Sequence, residues 1–216
     1  MLHQILAAAM VLSILCAPVF CSAVLAGEGA VPAPAFGPES PQTPPSLAKK
    51  SLPPRDGDKA SDFTLKTLDG NPVQLSKQLA NGPVVLVVLR GWPGYQCPIC
   101  MRQVGEFLAQ AKQFQALHAR VIFVYPGPAD RLEDHAREFW GDKILPEGFT
   151  FVIDPDYQFT LAYGLRWLAP RETAYPATFV IDQKSIVRFA KVSKTHGDRA
   201  SSSEVLPVIE KIEETR

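Results

Sequence analysis

Val84-Val85-Leu86-Val87-Val88-Leu89 is a run of six apolar residues with nothing polar to turn toward water. A run this short and this rich in valine reads as a strand buried on both faces, so the fold must supply layers above and below it. Val121 to Tyr125, Phe149 to Ile153 and Thr178 to Ile181 repeat the type. Between them the apolar period changes to 3.6. Val104, Phe107, Leu108, Ala111, Phe114 and Leu117 trace one long helix, and Leu132, Ala136, Phe139 and Trp140 trace a second. Strands alternating with helices imply an α/β architecture, here a central mixed β-sheet flanked by helices on both faces. Asp62 to Leu68 alternates apolar and polar residues, and Asp69-Gly70-Asn71-Pro72 turns the chain into Val73-Gln74-Leu75, so an N-terminal hairpin opens the domain. Val205, Leu206, Val208, Ile209 and Ile212, after Ser201-Ser202-Ser203-Glu204, predict a closing helix.

The sequence before this pattern has a different composition. Met1 to Ala26 contains no Lys, Arg, Asp or Glu, and Ile5 to Leu25 is almost continuously apolar. Val24-Leu25-Ala26 provides small residues at −3 and −1 before Gly27, so residues 1–26 read as a secretory signal peptide. The alternative is an uncleaved membrane anchor, because a span takes about 20 residues. Either way the domain is expected to be exported, to a periplasmic or other extracytoplasmic space. Residues 27–58 carry Pro32, Pro34, Pro38, Pro41, Pro44, Pro45, Pro53 and Pro54 and read as a linker, leaving 59–216 for the folded domain. With 22 Lys+Arg against 22 Asp+Glu, the net charge of zero argues against nucleic acid as a partner.

Cys16 and Cys21 lie in the leader, which leaves Cys97 and Cys100 for the domain. They follow the most apolar strand in Arg90-Gly91-Trp92-Pro93-Gly94-Tyr95-Gln96-Cys97-Pro98-Ile99-Cys100. Pro98 suits the first helical position, which makes Cys97 the N-cap. The positive end of the helix then favours thiolate over thiol at Cys97, and Cys100, three residues on, is placed to close a disulfide with it. A ring so small constrains little of the unfolded chain, which argues against a purely structural bridge. A zinc site would need two further ligands, and no second CxxC or His pair stands at ligand spacing. His118, His135 and His196 are scattered and read as solvated side chains. No cofactor is expected.

On these residues the chain resembles the thioredoxin-like superfamily, and within it the redoxin or alkyl hydroperoxide reductase/thiol-specific antioxidant branch that includes peroxiredoxins. The likeness covers about residues 58 to 213. Ser61 to Leu65 with Asp69-Gly70 looks like the opening hairpin of that branch, and Val84 to Cys100 looks like its strand, active-site loop and helix. Asp154-Pro155-Asp156, Ala162-Tyr163-Gly164-Leu165 and Pro176 to Asp182 resemble its second half. The resemblance implies a thioredoxin-like fold, with Pro176 cis beside the cysteines and Pro176 and Trp92 lining the substrate groove. It also implies an external thiol reductant, either thioredoxin-like or a membrane reductase. The chain departs from peroxiredoxins where they carry Pro and Thr or Ser before the reactive cysteine. Aligned on Cys97, those positions hold Arg90 and Gly94; aligned on Cys100, Pro93 fits the proline and Cys97 replaces the hydroxyl residue; and Pro176 stands where the family has an Arg. Arg90 or Arg171 is the candidate replacement.

Three functions fit this reading. The first is an exported thiol antioxidant that reduces peroxides, with Cys97 as nucleophile and Cys100 as resolving thiol. In the second, the same pair acts on a protein disulfide. The third is a non-catalytic copper-delivery module using the cysteines with His196, since thiolates select Cu(I).

Overall fold

The computed structural model describes residues 51–215. The apolar leader, and the linker up to residue 50, lie outside them. The elements are β1 (Thr64–Thr67), β2 (Pro72–Gln74), α1 (Leu75–Leu79), β3 (Val84–Val88), α2 (Pro98–Ala109), α3 (Ala111–Ala116), β4 (Arg120–Gly127), α4 (Leu132–Trp140), β5 (Phe149–Pro155), α5 (Gln158–Ala162), β6 (Ala177–Ile181), β7 (Val187–Val192) and α6 (Ser202–Glu214). The seven strands form one sheet in the order β2-β1-β5-β4-β3-β6-β7. β3, β4 and β5 run parallel, while β6 is antiparallel to β3 and β7 to β6. The β1–β2 hairpin joins the other edge through β5.

The buried run behaves as its composition demands. Val85, Val87 and Leu89 face one core with side chains of α2, α3, α4 and α6, and Val84, Leu86 and Val88 face a second with α1 and α5. All six are fully buried, each worth about 1.5–3 kcal/mol of apolar transfer. Helices therefore cover both faces, as expected of a mixed sheet with the thioredoxin-like fold.

Two expectations change in detail. The single helix expected to Leu117 is broken at Gln110, whose φ of −99° and ψ of 14° end α2 and cap α3, with its N–H on Phe107 O at 3.1 Å. The apolar period runs on across the break because the chain tightens there without turning away. β7 carries no clear sequence signal, since it is a part-exposed edge strand with Arg188 and Lys191 in it. At the far end, the Ser201 hydroxyl accepts the Glu204 N–H and the Glu204 carboxylate accepts the Ser201 N–H, a capping box that starts α6.

The topology brings five loops to one edge. β3 pairs with β6 so that Val88 lies opposite Ala177, and Ala177 lies opposite Val192. The exits of β3, β4, β5 and β7 and the approach to β6 thus meet above the C-terminal ends of the parallel strands, where open α/β sheets place their ligands.

Candidate active site

β3 delivers the chain to this edge, and α2 starts there. Cys97 is the N-cap of α2, with extended φ and ψ of −76° and 111°, and Pro98 takes the first helical position. The Cys100 N–H donates to Cys97 Sγ at 3.4 Å, as a sulfur in the N-cap position should accept it. Cys100 lies one turn on and receives the Arg90 N–H at 3.4 Å. Both thiols are free, and they are 3% and 1% exposed.

The two sulfurs are electrostatically unlike. Cys97 is held down to about 5, first by the hydrogen bond from the Cys100 thiol, then by the Cys100 and Ile99 N–H groups and the nearby Arg199 guanidinium, all against the cost of burial. Cys100 moves the opposite way. Burial and its donation to Cys97 push its thiol well above the usual range. One sulfur is thus a thiolate at neutral pH, and the other holds a proton next to it.

Arg199 was not among the residues read from the sequence. Its Nη2 lies 3.9 Å from Cys97 Sγ and 3.6 Å from Cys100 Sγ, and its Nη1 is buried without a partner among the described residues. It comes from the loop between β7 and α6, 99 positions beyond Cys100. An arginine in a polar loop carries no local signal for such a role. The candidates read from the sequence do something else. Arg90 is buried and directs its side chain to Glu172 Oε2 (2.9 Å), Tyr95 Oη (2.5 Å) and the Arg171 carbonyl (3.0 Å). Arg171 contributes that carbonyl from an exposed turn at φ 59°.

Trp92 is part-buried, and its ring stacks on His135 with centroids 4.0 Å apart and planes 7° apart. His135 is therefore not the solvated side chain expected. Beside the stack, Gln96 accepts the Tyr125 hydroxyl at 3.0 Å and donates to the His135 carbonyl and Glu138, tying the cysteine loop to β4 and α4. Pro176 is buried immediately before β6, with its carbonyl accepting the Ser193 N–H at 2.8 Å. The cis bond expected there is absent, since no described peptide bond is cis. Trans is the intrinsically favoured X–Pro isomer by about 0.5–1 kcal/mol, and the hydrogen bonds of Tyr175 N–H to Leu165 and of Ser193 to Pro176 form around it.

His196 does not join the cysteines. Its Nε2 sits 2.9 Å from Glu172 Oε1, and among the described residues no group of three or more His, Cys, Asp or Glu side chains is placed to hold a metal. The copper reading thus loses its third ligand.

Comparison with known proteins agrees with this geometry. No curated protein matches the sequence. Among solved structures, the chain is similar to the peroxidoxin BcpB of Mycobacterium tuberculosis, with a TM-score of 0.58 and 24% identity over 73% of this chain and 97% of that one. It is also similar to a yeast mitochondrial 1-Cys peroxiredoxin (TM-score 0.59, 20% identity, 74% and 77% of the two chains). The mitochondrial 2-Cys peroxiredoxin of Plasmodium falciparum matches at a TM-score of 0.55 and 20% identity, over 73% and 93%. The sequence profile of the Redoxin family matches residues 55–206. The chain belongs to the Redoxin family and is a thiol-dependent oxidoreductase on a thioredoxin-like fold.

Proposed function

We propose that this protein is an exported peroxide reductase in which Cys97 is the nucleophile and Cys100 the resolving thiol. The observation that carries the reading is the pairing of a Cys97 thiolate, at the N-terminus of α2, with the Arg199 guanidinium. The thiolate sulfur attacks one peroxide oxygen and the O–O bond breaks. That oxygen stays on Cys97 as a sulfenic acid, and the other leaves as water or an alcohol after taking a proton. Nη1 of Arg199, without a partner among the described residues, is a spare donor for the oxygen on which charge develops. Cys100 then attacks the Cys97 sulfur, forming the disulfide and releasing the hydroxyl with a proton as water. An external dithiol reduces the disulfide to complete the cycle.

Burial favours a small oxidant over a protein disulfide. Cys97 is 3% exposed, and one face of Trp92 is already covered by His135, which leaves a partner chain little of either residue to dock on. The charge-free leader supports export, with the membrane tether through residues 5–25 as its alternative.

Stopped-flow mixing of the reduced full-length protein with hydrogen peroxide and with an organic hydroperoxide is the test. The expected result is a reaction much faster than that of free cysteine, abolished in Cys97→Ser and stopping at the sulfenic acid in Cys100→Ser. Rates equal to those of free cysteine, alongside turnover of a protein disulfide, would replace this reading with the disulfide one.

A further inference from the structure

Around the two sulfurs runs a closed circuit of hydrogen bonds whose far side the peroxide chemistry does not use. The Arg90 N–H holds Cys100 Sγ at 3.4 Å, and the Arg90 Nε holds Glu172 Oε2 at 2.9 Å. The other oxygen of Glu172 meets His196 Nε2 at 2.9 Å. The His196 carbonyl accepts Arg199 Nε at 2.9 Å, and Arg199 Nη2 returns to both sulfurs. Glu172 is 12% exposed and Arg90 3%, so the carboxylate sits in a place where it needs partners on both oxygens.

We propose that Glu172 and His196 are positioning residues that fix the 196–199 turn and thereby hold the Arg199 guanidinium on Cys97 and Cys100. Arg199 needs such a hold. With Nη1 buried and unpaired among the described residues, its guanidinium gives up hydration for one carbonyl and two weakly accepting sulfurs, and an untethered arginine would recover that hydration by swinging toward solvent. The chain beyond is already anchored, because Gln103 of α2 donates to the Ala200 carbonyl at 3.0 Å. The turn before Arg199 is held at Asp198 by the Ser193 hydroxyl on its carbonyl and by Lys191 near its carboxylate, and the His196 side chain, with the Trp167 ring beside it, ties the turn to Glu172 in the cysteine circuit. Glu172 does two tasks with one carboxylate. It fixes the Arg90 side chain, whose backbone N–H serves Cys100, and it fixes His196, whose carbonyl serves Arg199.

This inference rests on Cys97 as the nucleophile, and its test needs no peroxide. Thiolate absorbance near 240 nm would follow the lower of the two thiol titrations in wild type, His196→Ala, His196→Gln and Glu172→Gln, with circular dichroism and thermal melting recorded for each. His196→Ala is expected to raise the Cys97 titration by about one pH unit, the effect of moving one nearby cation away. His196→Gln, whose amide can still reach Glu172, is expected to recover most of that shift, and Glu172→Gln to give an intermediate one. An unchanged titration in folded His196→Ala, or equal shifts in His196→Ala and His196→Gln, overturns the proposal. If any variant fails to fold, the decision rests on the others, since His196 is 40% exposed and His196→Gln alters little packing. The expected shifts in the variants, together with a wild-type protein that does not react with peroxide, would count against the proposed function and leave the positioning role standing.

Discussion

Beneath α2, α3 and α4 the sheet is packed with rings: Phe107 lies on Phe114 at 5.5 Å, Phe123 has Phe107, Trp140 and Phe149 within 6.3 Å, and Trp140 meets Phe151 at 4.7 Å. At the strand ends of the same sheet, the cysteines are ringed by Arg90, Glu172, His196 and Arg199. The first region is held by buried apolar area, a non-directional force that scales with the surface removed from water. The second is held by a few directed bonds, which decide where individual atoms lie. The apolar region fixes α2 against the sheet; the polar one sets the protonation of the sulfurs at its end.

Substitutions that affect one region and spare the other would test this division. Phe123→Ala removes a fully buried ring and is expected to lower unfolding stability by about 3–5 kcal/mol in urea denaturation, with the Cys97 titration staying near 5 in the protein that remains folded. A titration that moved with it would show that the two regions are not separable. Arg199→Leu is the converse. It should slow the reaction with peroxide by about 10²-fold and raise the pH at which Cys97 ionises, while changing stability little, because it also removes a buried unpaired N–H.

The pH profile follows from the sign of the shift. Since Cys97 is depressed from 9.0 to about 5, its thiolate stabilises the reduced fold in full above the unfolded value, and that contribution is lost as pH falls toward 5. The rate with peroxide should stay level from neutral pH downward until it halves near the same point in wild type, and at a higher pH in Arg199→Leu. A wild-type rate halving near pH 9 would remove the electrostatic basis of the site.

The smallest effect is expected from Ser201→Ala, which opens the capping box of α6 just beyond Arg199. The cost should be about 1 kcal/mol of stability, with no change in the Cys97 titration, read by thermal melting and absorbance on one sample.

What the sequence disclosed divides along the same line. The apolar run at Val84 and the helical periods were legible because burial is written into composition and spacing over a few residues. The N-cap position of Cys97 was legible for the same reason, since Pro98 is its neighbour. Arg199, Glu172 and His196 were not, because their roles arise from pairings across 24 to 102 positions, and each alone looks like any polar loop residue. The trans peptide at Pro176 and the His135 stack belong with them. Even the short helices α1 and α5, five residues each, lacked the length for a period to show.

Gly91 has φ +76°, and a Cβ there would stand 1.9 Å from the Pro126 carbonyl oxygen, whereas at Gly94, φ +115°, a Cβ would meet nothing within 4 Å. The loop leading into Cys97 therefore abuts the end of β4 at Gly91 and faces open space at Gly94. For anyone reshaping this loop, the open position is Gly94, between a Trp92 stacked on His135 and a Gln96 bonded to β4 and α4, and residue 91 is closed to every side chain, both by its conformation and by the neighbouring backbone.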